Sequence, residues 1–430
     1  MCKDVAKAVP ANWAYAMFPE SGWTGYPFLI EKHRLASGNT TRFAENYGRT
    51  LNDAKEADRN SREFREALKQ DIHKEEIIFL DLQKQIQNKQ HLGQYNHWMS
   101  EVLPYITFVK PHLQNYIDAK YNGNIELKPQ YLFEIEQEKI TELIAMFIND
   151  TITNPDLKQK YLDNLYNRNP NMILTLKTDA PKPIMTEEEQ KSWNKSAIGR
   201  IQPEDVNGVD IKQSDIDKVH VEVRLGIQKP NGKIETNINN VIAYIHEIAH
   251  SVSERNLSIK PMDVKEDCVF EIEAMFMENL FMHYLSKNAT QLTDMFFKEG
   301  IIPSADPKYI KNIVENYRAE HDKGLQNKIE MIQTEKFNPD NPRHKQYEFR
   351  YLVGDIYSSV LNEFYEEDPQ ATIDQYAEFL KNNATLSLDD SSKILFDSDT
   401  ITKKDVVKAF VLRLHDQTKE LQPQQEEDSL

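Results

Sequence analysis

Two histidines four residues apart, with a glutamate directly after the first, stand at His246-Glu247-Ile248-Ala249-His250 and form an H-E-x-x-H pattern. On an α-helix, residues i and i+4 lie on one face about one turn apart. Both imidazoles can then reach a single Zn²⁺ at about 2.0–2.1 Å. Glu247 is displaced by one residue, near enough to hydrogen-bond a water on the metal without being a ligand itself. Zinc brings the pKa of such a water towards ~7, and a glutamate there can take its proton and later deliver it to a leaving amine. The chemistry implied is hydrolysis of an amide.

A catalytic zinc site needs a third protein ligand and an open position. The next helical stretch, EDCVFEIEAMFMENLFMHYL, offers Glu271, Glu273, Glu278 and His283. A carboxylate inside so apolar a run is poorly placed for solvation, and coordinating a metal would offset its burial. Glu271 is the expected ligand, with Glu273 and Glu278 as alternatives. Glu271 and Glu278 are seven apart and share a helix face, whereas Glu273 is expected to point elsewhere.

With these residues in view, the chain resembles the thimet oligopeptidase and oligoendopeptidase F group of zinc peptidases. VIAYIHEIAHSV is similar to that family's ligand helix, with Ala249 where the family has glycine. VFEIEAMFMENLFMHYL is similar to its glutamate helix, with Val269 and Ala274 in place of Phe and Ser. A third segment, RHKQYEFRYLVGDIYSSVL, resembles the family helix whose histidine and tyrosines line the substrate site. The resemblance implies zinc held by His246, His250 and Glu271, with Glu247 as general base. It also implies hydrogen bonds from Tyr351 first, then Tyr347 and His344, to the tetrahedral intermediate. The implied activity is zinc-dependent endopeptidase action on peptides or an extended protein segment. A carboxypeptidase of the same architecture and a non-catalytic helical interaction protein are the alternative expectations.

The elements that must position these groups can be read from periodicity. Ile242, Ile245, Ile248, Ala249 and Val252 make one apolar stripe, which leaves His246 and His250 on its flank, as in a cleft wall. Asn237, Asn239 and Asn240 are candidate N-caps for that helix. Just upstream, Val219, Val221, Val223, Leu225 and Ile227 alternate with His220, Glu222, Arg224 and Gly226, the period-two signature of a half-buried strand. Pro230-Asn231-Gly232 is a turn signal, so Lys233 to Thr236 should return as a partner strand. By analogy with zinc peptidases, the Val219–Ile227 strand is expected to offer an edge on which substrate lies as an added strand.

Elsewhere the text reads as helix. The fold expected is mainly α, a helical zinc-peptidase fold with a small β-hairpin or sheet beside the active-site helix. Residues 1–180 are expected to form an N-terminal helical lobe, 181–421 a catalytic lobe, and 422–430 an acidic tail too polar to fold.

Composition agrees with this and excludes much else. Of 430 residues only 13 are glycine, and no two lie two, four or five apart. That removes the G-x-G-x-x-G, G-x-S-x-G and P-loop patterns. The net charge of −17 disfavours nucleic acid as a partner. No uninterrupted apolar run is long enough to span a membrane, and the first residues lack the apolar core of a signal peptide. Two cysteines, Cys2 and Cys268, give no disulfide framework. The expected setting is cytoplasmic, with a peptide or protein substrate as partner. The tail EEDSL also resembles the glutamate-rich C-terminal signals of bacterial effectors, which implies delivery into a host cell without a classical signal peptide.

Overall fold

The computed structural model describes residues 109–128, 131–179, 197–200, 206, 211–253, 267–333, 342–383 and 386–421. Most of the expected N-terminal lobe, the 180–196 segment and the 422–430 tail lie outside the described residues.

The chain is mainly helical with one small sheet. It divides into two units, one of residues 1–126, 322–352 and 387–430, the other of residues 127–321 and 353–386. The described helices are α1 (109–121), α2 (Gln137–Thr151), α3 (Pro155–Leu165), α4 (Ile238–Ser251), α5 (Asp267–Lys287), α6 (Ala289–Lys298), α7 (Lys308–Gln333), α8 (Pro342–Glu367), α9 (Pro369–Asn382), α10 (Leu388–Leu395) and α11 (Lys403–Leu421). None of them is long and apolar enough to cross a membrane.

In the first unit α1, the later part of α7 from Asp322, the start of α8 as far as Leu352, α10 and α11 supply the described structure. Asp322 Oδ2 accepts hydrogen bonds from Tyr116 Oη at 3.2 Å, Lys120 Nζ at 3.0 Å and Tyr121 Oη at 2.7 Å. One half-buried carboxylate thus joins α1 to α7.

The second unit contains the sheet. Its strands are β1 (Leu132–Ile135), β2 (Met172–Asp179), β3 (Ala197–Arg200), β4 (Val219–Gln228) and β5 (Ile234–Asn237). The order is β1-β5-β4-β2, with β3 beside the first half of β4. β4 and β5 form the hairpin expected from the Pro-Asn-Gly turn, where Gly232 takes φ +84°. The alternation in β4 holds from Val219 to Leu225, with the valines and Leu225 buried. It then breaks: the register against β2 shifts between Lys177 and Thr178, a bulge, so Gly226 is buried and Ile227 is only half-buried. A Cβ at Gly226 would stand 2.1 Å from the Glu235 carbonyl oxygen, which is why glycine occupies the bulge.

β4 is not the edge strand expected from the analogy. It pairs along its length with β2 in parallel and, on its other side, with β3 at one end and β5 at the other. Its alternation of buried Val219, Val221, Val223 and Leu225 with half-buried His220, Glu222 and Arg224 reports only that its two faces differ and does not record its neighbours. The 180/181 position also falls between β2 and β4, which are neighbours in this sheet.

Helix α4 follows β5 without a loop. Asn237 is its N-cap, the side-chain oxygen accepting from Asn240 N at 3.1 Å. Its far end is satisfied by Asn164 of α3, whose Nδ2 donates to Ser251 O at 3.1 Å and Ser251 Oγ at 2.8 Å. α4 lies against β4 on one side and α5 on the other. α5 is apolar around most of its circumference, with Val269, Ile272, Phe276, Leu280 and Phe281 all buried, as a central helix should be.

A candidate metal centre

Helices α4 and α5 bring the predicted ligands together. His250 Nε2 lies 3.1 Å from His246 Nε2, and Glu271 Oε2 lies 3.3 Å from the first-named residue's partner, His246 Nε2, and 3.5 Å from His250 Nε2. These three atoms form a nearly equilateral triangle. A tetrahedral ion with donors at 2.0–2.1 Å needs ligand–ligand edges of about 3.3 Å, whereas a right-angled arrangement at that radius needs about 2.9 Å. The donor triangle therefore fits a tetrahedral ion with one position left over. Among the described residues, His246, His250 and Glu271 are the group able to hold a metal ion.

The burial differs from the cleft-wall expectation. His250 is 2 % exposed, His246 8 %, Glu247 7 % and Glu271 1 %. The stripe on α4 is wider than the apolar residues alone suggested, because α5 covers the histidine flank as well. Phe270 stacks on the His250 ring at 4.0 Å and 7° between planes, fixing its tilt.

Each imidazole is held from behind by a second glutamate of α5. His246 Nδ1 meets Glu278 Oε1 at 2.5 Å, and His250 Nδ1 meets Glu273 Oε1 at 2.6 Å. A carboxylate accepting from Nδ1–H fixes the tautomer, leaves Nε2 as the donor to metal and raises its basicity. Both alternatives to Glu271 thus lie at the site, as imidazole partners. Glu273 does not point away, as the spacing suggested; it reaches His250 on the flank opposite Glu271.

The outer partners differ. Glu278 Oε2 accepts from Tyr317 Oη of α7 at 2.9 Å. Glu273 Oε2 accepts from Asn383 Nδ2 beyond α9, and Asn383 Oδ1 in turn accepts from Ser253 Oγ at 2.8 Å. Tyr376 of α9 donates to the backbone oxygen of Glu273 at 2.7 Å. Sequence reasoning missed Tyr317 and Asn383, which lie 39 residues from Glu278 and 110 residues from Glu273. No local pattern links residues so far apart; the only signal was the pair of extra glutamates in an apolar helix.

Electrostatics follow from this geometry. Burial alone would push the Glu271 carboxyl up, but hydrogen bonds from His246 and His250 hold it well below the usual carboxylate range. Burial would lower His246, yet Glu271 and Glu278 raise it well above its ordinary value; Glu271 and Glu273 overcome burial in the same way to raise His250. Glu247 behaves differently: burial raises its carboxyl against the opposing pull of His246 and His250. Burial, followed by the Glu278 charge, raises the Tyr317 hydroxyl well above its ordinary value, so it stays a hydrogen-bond donor.

Tyr351 is half-buried in the first unit, its ring 5.6 Å from Lys328 Nζ and 5.7 Å from the Arg350 guanidinium carbon. The side chains of His344, Tyr347 and Cys268 lie outside the described residues, although their backbones are helical. Comparison with protein families, curated proteins and solved structures gives no match to this chain.

Proposed function

We propose that the chain is a zinc-dependent peptidase that hydrolyses peptide bonds in peptides or in an extended protein segment. The observation that carries this reading is the triangle of His246 Nε2, His250 Nε2 and Glu271 Oε2, with edges of 3.1–3.5 Å, beside the buried Glu247. Two imidazoles and one carboxylate in a tetrahedral frame suit Zn²⁺. Zinc held there supplies Lewis acidity to the scissile carbonyl and to a water molecule.

The protein's own groups do the rest. Glu247 follows a ligand on the same helix and is not itself in the group able to hold the metal. Burial raises its carboxyl towards the range in which a general base can both take and return a proton. It accepts the proton of the attacking water and delivers it to the leaving amine. Glu273 and Glu278 keep the two imidazoles in one tautomer. Tyr351, with Tyr347 and His344 on the same helix, is assigned to the oxyanion, an assignment supported by the resemblance of its segment to the Tyr/His helix of zinc oligopeptidases.

The test is Glu247→Gln in the full chain. Zinc should remain at the wild-type stoichiometry while cleavage of a peptide library disappears. Loss of zinc from this variant, or unchanged cleavage, would overturn the assigned role. The products of the wild-type reaction also separate internal cuts from stepwise C-terminal trimming.

A further inference from the structure

A glycine occurs inside the 26-residue helix α8, at Gly354, where alanine would favour the helix more. Its surroundings account for it. A Cβ at that position would stand 2.5 Å from Met275 Sδ, 3.1 Å from Glu271 Cβ and 3.1 Å from the Glu271 backbone oxygen. α8 therefore meets α5 at the turn that carries the carboxylate ligand. Met275 is flexible and can move aside, but Glu271 Cβ and its carbonyl belong to the α5 backbone and shift only if the helix shifts.

α8 has no easy retreat. Asp355, next to Gly354 and fully buried, is bonded to His321 Nε2 of α7 at 2.7 Å. One turn further, Ser358 Oγ accepts from Asn279 Nδ2 of α5 at 2.8 Å. These two contacts, both within the turn that follows the glycine, hold α8 against α7 and α5.

We infer that Gly354 is a positioning residue for the metal ligand: its missing side chain lets α8 serve as the backstop that sets where Glu271 Oε2 lies. This inference rests on the metal-site reading above. A displacement of α5 by a few tenths of an ångström is carried directly to the Glu271 carboxylate, whereas the histidines, whose backbone belongs to α4, follow only through their hydrogen bonds to Glu273 and Glu278. The ligand triangle opens on one side, and geometry of this kind must hold within about 0.5 Å.

A second helical glycine provides the control. A Cβ at Gly324 in α7 would meet nothing within 4 Å. Gly324→Ala should raise the melting temperature and leave metal binding unchanged. Gly354→Ala should lower Zn²⁺ affinity by about tenfold or more, read by chelator competition, and alter the visible absorption of bound Co²⁺. In Gly354→Ala/Met275→Ala, which removes the sulfur contact and protects folding, the affinity should stay low. Wild-type affinity and an unaltered Co²⁺ spectrum in Gly354→Ala would overturn the inference. So would full recovery in the double variant, which would trace the effect to Met275. Absence of Zn²⁺ and Co²⁺ binding by the wild-type chain would instead remove the metal-site reading itself, and this inference with it.

Discussion

Each unit places a histidine close to an acid, fully buried in one and half-buried in the other, with opposite results. At α4 and α5 of one unit, the His246 and His250 imidazoles are raised and the Glu271 carboxyl is lowered, so charge is favoured on both. In α11 of the other unit, burial lowers His415 to about 4 and raises Asp416 to about 7, so both are driven towards neutrality. Burial opposes charge in both places. The difference is orientation: in the first region each imidazole nitrogen has a carboxylate oxygen aimed at it, whereas His415 and Asp416 are adjacent in sequence and project in different directions around the helix. Lys419 adds to the lowering of His415, and Glu420 adds to the raising of Asp416. A buried acid and base make an ion site only when the backbone aims them at one point.

The carboxylates behind the imidazoles are what separates the metal centre from α11. Glu273→Gln keeps the shape but removes the charge that favours a metal-donating His250, and it should weaken Zn²⁺ binding by about 10- to 100-fold in chelator competition. Tyr317→Phe removes only the outer hydrogen bond to Glu278 and should cost less, about tenfold at most. The order follows from burial, since the Glu273 side chain is 0 % exposed and that of Glu278 is 15 % exposed. Unchanged affinity in Glu273→Gln would mean that the surrounding charge does not hold the site.

In α11 the opposite shifts make stability depend on pH. The folded state favours protonated Asp416, whose ordinary pKa is 3.8, so the cost of ionising it is absent below about 4 and complete above about 7. Asp416→Asn should therefore stabilise the protein at pH 7, with the gain in denaturant midpoint shrinking as pH falls towards 4. His415, ordinarily near 6.5, runs the other way: its cost is absent above that value and complete below about 4, so His415→Gln should gain stability on acidification. Equal pH profiles for both variants and the wild type would show that the two groups are solvated after all.

How much of this was legible in the sequence depended on the range of each signal. The H-E-x-x-H helix, its Asn237 cap and the β4–β5 hairpin were readable because each rests on residues close together in the sequence, and Glu271 because a carboxylate stood in an apolar helical run. The interior place of β4 was not, because pairing with β2 and β3 is decided by segments that no periodicity in β4 records. Nor was the depth of the site: helical spacing puts His246 and His250 on a flank, but only the tertiary placement of α5 buries that flank. Glu273 was misdirected for the same reason, since α5 offers its glutamates to α4 over more than one face. Tyr317, Asn383 and the close approach at Gly354 come from distant helices, and a lone glycine in a helical pattern does not name its neighbour.

His246, His250 and Glu271 are placed to hold one metal ion together. Chelator-stripped full-length protein titrated with Zn²⁺, beside Glu271→Gln, tests this most directly. One equivalent bound by the wild type and none by the variant, with helical content unchanged in both, is the predicted result. No Zn²⁺ bound by the wild type, or equal binding by the two, would contradict it.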